Sequence, residues 1–202
     1  MKTQIKFQKI LAFVSLVFAA LVFVYALIFN SGNLSDVMYY DNWDNPMYRF
    51  DGTDSFCDSA QSFVSALVVI GIVYIVVVVT LFITSTHKRR NYYVTNYVAI
   101  GLNIAMSVVV AIFGIVFISI LMSKFYALDW DGLAKLIERL KKAGDQEYRD
   151  VSKSPAMFVV GIVLCLLALA NAAAWALNLI WKIKLMKGEK ALLASGFVGE
   201  VA

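Results

Sequence analysis

Four apolar runs divide the chain, at about 10–29, 63–85, 95–127 and 156–181, and none has an Asp, Glu, Lys, Arg or His in its interior, Lys124 falling in the last turn of the third. About 20 helical residues cross the hydrocarbon of a bilayer, so each run is long enough to do so. In lipid every backbone N–H and C=O must be satisfied within its own segment, which leaves the helix as the form for such runs. The Val-rich second run, VVIGIVYIVVVVTLFIT, is therefore expected to be helical despite its strand propensity. A composition 61% hydrophobic with a mean hydropathy of +0.75 agrees, because soluble domains hold roughly 45–50% apolar residues. The expected fold is all-α: a polytopic, single-domain bundle of four transmembrane helices, with a short amphipathic extracytoplasmic helix between spans three and four.

The first run follows three lysines but exceeds the 7–15 apolar residues of a signal peptide, and no small-x-small cleavage site follows it. It is read as a retained span. The third apolar stretch, Tyr92 to Leu128, is 37 residues long, or about 55 Å as a helix, so it must tilt, bend or project.

On a 100° wheel, Gly161, Cys165, Ala168, Ala172 and Ala176 of the fourth run fall in a narrow arc. A seam of small residues lets a neighbouring helix approach closely, which drives association where lipid offers no hydrophobic push. Asn171 and Asn178 lie beside the seam, with Trp175 between. Ile162, Val163, Leu166, Leu169, Leu177 and Ile180 fall on the opposite half, where lipid is expected. In the third run Asn96, Asn103, Ser107 and Gly114 share one face. If spans three and four run antiparallel, Asn96 falls near the depth of Asn178 and Asn103 near that of Asn171. These pairs would make two hydrogen-bonded rungs, or else line a water-filled path or bind a partner's helix.

Between the spans lie two outer loops, 30–61 and 129–155, a turn at 86–91 and a tail at 182–202. The first loop carries Asp36, Asp41, Asp44, Asp51, Asp54 and Asp58 against Arg49 alone, a net charge of −5, with six aromatic residues interleaved. It is either a hydrated outer loop or a rim that concentrates cations or receives a basic partner. The second loop contains one amphipathic helix, with Asp131 as expected N-cap, Gly144 as stop, and Leu133, Leu136, Ile137 and Leu140 along one stripe. The N-terminus, the 86–91 turn and the start of the tail together hold ten Lys and Arg, and the first loop holds one. Basic residues favour the cytoplasmic side, so both termini are placed there, in the plasma (cytoplasmic) membrane. The second loop, with six basic and six acidic residues, stands apart from this pattern.

Ionisable groups inside spans mark ion pathways and proton relays, and their absence here argues against a coupled transporter, a voltage sensor or an acid–base enzyme. His87 is the only histidine, Cys57 and Cys165 have no histidine or second thiol close in sequence, and no nucleotide, metal or nucleophile motif occurs. Neither DNWDN (41–45) nor DGTDSFCD (51–58) fits an EF-hand. No catalytic residue, cofactor or metal site is assigned, and no nucleic-acid partner is expected.

Four spans with a larger first outer loop resemble, in outline, claudins, tetraspanins and large-pore channel subunits. Claudins carry a Trp and paired cysteines in the first loop, where this chain has Trp43 and Cys57. Tetraspanins carry Cys-Cys-Gly in the second loop, which here holds no cysteine, and large-pore subunits generally staple their outer loops with disulfides. No family is assigned on these residues. The expected role is a non-enzymatic structural or accessory subunit, associating with lipid and with itself or other membrane proteins. The alternative is a homo-oligomeric channel with an acidic, cation-attracting mouth.

Overall fold

The computed structural model describes residues 2–29, 50–87, 93–143 and 154–194. Five helices account for nearly all of them: α1 (Lys2–Phe29), α2 (Thr53–Thr86), α3 (Val94–Ala127), α4 (Trp130–Lys142) and α5 (Ala156–Ala194). The fold is all-α, a four-helix bundle with a short extra helix. Four helices, all but α4, are long and apolar enough to cross a membrane.

Three boundaries differ from expectation. α1 begins at Lys2, so residues 2–9, ahead of the first apolar run, belong to the helix. α2 begins at Thr53, which moves the last part of the first loop into the helix. α5 continues to Ala194, well into the stretch read as a tail. In each case polar residues prolong a helix that apolar composition alone would end, and the helix in α5 continues even through Gly188.

Packing divides the chain into two compact units, and each contains a segment of every long helix. The first comprises residues 1–19, 73–109 and 167–202. Its apolar core is Ala12, Leu81, Ala99, Ile100 and Trp175, with half-buried Leu11, Phe82, Ile104 and Leu179 against it. Phe18 meets Tyr74 edge-on, with ring centroids 6.0 Å apart.

The second unit comprises residues 20–72 and 110–166, and its core is aromatic. Phe29 lies edge-on to Tyr25, Phe63 and Phe158, and Phe125 packs against Phe56, Phe158 and Trp130. Close helix approach here depends on two glycines. A Cβ on Gly114 would overlap the Cys165 sulfur, and one on Gly161 would overlap Tyr25 and Ile118. The Tyr25 hydroxyl donates to the Met157 carbonyl at 3.0 Å. Gly52, with φ +79°, turns the chain into α2 in a conformation that side chains disfavour.

α4 docks in this unit by its apolar stripe, with Trp130, Leu133 and Ile137 buried and Leu136 and Leu140 half-buried. Its N-cap is Asp129, whose carboxylate accepts from the Gly132 backbone at 3.0 Å; Asp131 lies inside the first turn. Trp130 explains the shift: its indole donates to the Phe125 carbonyl at 2.8 Å and draws the helix start two residues earlier. The expected stop, Gly144, lies outside the described residues. On the polar face a 2.6 Å hydrogen bond from Lys142, with its positive charge, holds the exposed Glu138 carboxyl below its ordinary pKa. At the last turn of α3, Lys124 donates to the Ser55 carbonyl and to the hydroxyls of Ser55 and Ser59 on α2.

Candidate functional site

A glutamine or asparagine in a membrane-spanning helix is costly unless it is paired, so polar side chains there collect where helices face one another. In the first unit every long helix contributes some. α1 buries Gln4, Gln8 and Ser15; α2 buries Thr84 and Ser85 and presents the Tyr74 hydroxyl; α3 buries Asn96, Asn103 and Ser107; α5 buries Asn171, Asn178 and Lys182. On α1 these residues fall on one stripe, Gln4, Gln8, Ala12, Ser15 and Ala19, all of it buried.

The side chains form two hydrogen-bonded clusters. In one, Gln4 Nε2 donates to Gln8 Oε1 and to Asn178 Oδ1, each at 3.0 Å. Gln8 Nε2 donates to Ser85 Oγ at 3.0 Å and to Asn96 Oδ1 at 2.9 Å. Asn96 Nδ2 donates in turn to Thr84 and Ser85 hydroxyls. The Lys182 ammonium donates to Asn96 Oδ1 at 2.6 Å and lies 4.3 Å from the centroid of the Tyr97 ring. A buried ammonium held by an amide oxygen and an aromatic face keeps part of the stabilisation that water gives it.

In the other cluster Asn171 is the hub. Its Oδ1 accepts from Ser15 at 2.8 Å, and its Nδ2 donates to Tyr74 at 3.0 Å and Ser107 at 2.9 Å. Trp175 Nε1 donates to Ser15 Oγ at 2.7 Å. The Tyr74 and Ser107 hydroxyls share a 2.8 Å bond, and Ser107 also donates to the Asn103 carbonyl.

Asn103 is fully buried, yet among the described residues neither its Oδ1 nor its Nδ2 has a hydrogen-bond partner; the same holds for Asn178 Nδ2. A buried polar group left unmade costs about 1–3 kcal/mol.

The expected polar residues of α3 and α5 are thus all buried, but the two direct rungs do not form. Asn96 and Asn178 are joined through Gln8 and Gln4 of α1, and Asn171 bonds to Ser15, Tyr74 and Ser107 in place of Asn103. A wheel for each helix gives the facing direction, and α1 and α2 then supplied competing partners. Gln4, Gln8 and Lys182 were missed because they lay outside the apolar windows. The i, i+4 spacing of Gln4, Gln8 and Ala12, carried on to Ser15, was the available signal.

Along the seam of α5, Gly161, Cys165, Ala168, Ala172 and Trp175 are buried and Ala176 is half-buried. Gly161 and Cys165 belong to the second unit, and the others to the first. Ile162, Val163, Leu166, Leu169, Leu177 and Ile180 are all exposed. Of the six loop aspartates, Asp51, Asp54 and Asp58 are exposed around the start of α2, whereas Asp36, Asp41 and Asp44 lie outside the described residues. Among the described residues no group of three or more His, Cys, Asp or Glu is placed to hold a metal ion. Compared with protein-family models, with curated proteins and with solved structures, the chain matches none of them.

Proposed function

We propose that this multi-pass membrane protein is a non-enzymatic structural or accessory subunit, associating through its helices with itself or with a larger membrane complex. The observation that supports this reading is the internal use of its polar groups. Asn96 and Asn171 pair with Gln8, Ser85, Ser15, Tyr74 and Ser107 of the same chain, so the outer surface is left apolar, as at Val69, Val76, Leu166 and Leu177. A chain that turns most of its buried amides inward offers neighbours an apolar packing surface. Its partners are membrane lipid and membrane proteins, with no nucleic acid. It lies in the plasma membrane with both termini cytoplasmic.

Exposed Asp51, Asp54 and Asp58 favour one second reading, a homo-oligomeric channel with a cation-attracting mouth. Gentle extraction from native membranes, with the mass and composition of the complex measured, separates the two. This chain held by other proteins is the expected result. A ring of identical subunits, with cation-selective single-channel currents that weaken in Asp54→Asn and Asp58→Asn, would replace it with the channel. A lone monomer would sink both.

A further inference from the structure

The geometry points to a binding site for one water molecule between α3 and α5, held by the side-chain amides of Asn103 and Asn178. Two contacts set the register of these helices: Lys182 reaches Asn96, and Asn171 reaches Ser107. The helices therefore run antiparallel, and Asn103 lies level with Trp175, three residues from Asn178. At 1.5 Å per residue that is about 4.5 Å along the axis. One water making two hydrogen bonds of about 2.9 Å spans groups up to roughly 6 Å apart.

The unmet groups also match water in kind. Asn103 Nδ2 and Asn178 Nδ2 are donors and Asn103 Oδ1 is an acceptor, all three buried and without partners among the described residues. A cation would meet two N–H groups, and an anion would leave the Oδ1 unmet. Water alone accepts from both donors and donates to the acceptor, with three bonds typical of a buried water. The bridge joins the Gln4–Gln8–Asn96–Asn178 cluster to the Asn171–Ser107 cluster, whose Ser107 already holds the Asn103 carbonyl. The result is one polar column through this unit.

The test is water-edited solid-state NMR on the full chain in lipid vesicles, with asparagine side chains labelled with 15N. The expected result is water magnetisation reaching both the Asn103 and Asn178 amides, with the signal at Asn178 lost in Asn103→Leu and the signal at Asn103 lost in Asn178→Leu. No water contact at either amide in the unmodified protein overturns the site, without recourse to any variant. Contact at one amide that survives removal of the other overturns the bridge.

Discussion

Asn171 is held at both ends of its amide, by Ser15 on α1, Tyr74 on α2 and Ser107 on α3. Asn171→Leu removes all three bonds and leaves buried hydroxyls behind. Interhelical hydrogen bonds in membranes average about 0.6 kcal/mol, with a maximum near 1.7. We expect Asn171→Leu to cost about 1–2 kcal/mol, within the range for leaving buried groups unmade, in reversible unfolding from mixed micelles. Asn103→Leu should cost less, because no group among the described residues bonds its amide; the reverse order would refute this assignment of the hub. Gly114 is a steric counterpart. Gly114→Ala drives a methyl into the Cys165 sulfur and should destabilise by about 1–3 kcal/mol, the usual cost of overpacking. Cys165→Ala removes that sulfur, so the double variant should be more stable than the sum of the two single losses implies. Strict additivity would show that the two side chains do not meet. The inward facing of these residues was legible beforehand, since an Asn among Leu and Ala is costly where it meets lipid. Their partners were not, because a helical wheel gives a direction and says nothing of which neighbour stands in it.

α4 shows how far an element can be read from its own residues. Its stripe of Leu133, Leu136, Ile137 and Leu140 specified both helix and buried face, and Leu133 and Ile137 are indeed buried. Leu133→Ala should cost about 2–4 kcal/mol, since burial is complete and little can refill the space, with amide exchange rising across 131–142 as the readout. Asp129→Ala should cost about 1 kcal/mol through loss of the N-cap, and Asp131→Ala much less. Equal effects would restore the originally expected cap. The long helices were less well bounded. α1 extends through the buried Gln4 and Gln8, and α5 through the buried Lys182, because a polar residue facing a protein neighbour is stable where the same residue facing lipid is not. Hydropathy averages over both faces and so marks less of the chain than the helix occupies.

For the protein as a whole, the proposed topology puts both ends of the bundle on one side of the membrane, the cytoplasmic side that the distribution of Lys and Arg favours. His87, after α2, and Lys190, late in α5, are both exposed. Cysteines placed at His87 and Lys190 should react with an impermeant maleimide from the cytoplasmic side, and one at Asp54 from the other. Labelling of 87 and 54 from one side would overturn the topology. The natural background permits the experiment, since Cys57 is 0% and Cys165 3% exposed; neither should react until the protein is denatured.

Each span could be recognised in isolation because lipid makes every segment satisfy its own backbone, so a sum over about 20 neighbouring residues is enough. The outward apolar face of α5 was equally readable, since 3.6-residue periodicity is local. The pairing of the polar core was not local. Gln8 and Asn96 are 88 positions apart, and Trp175 and Ser15 are 160. Which of several equivalent donors and acceptors meet depends on the rotation and depth of four helices at once, and that arrangement arises only when they pack.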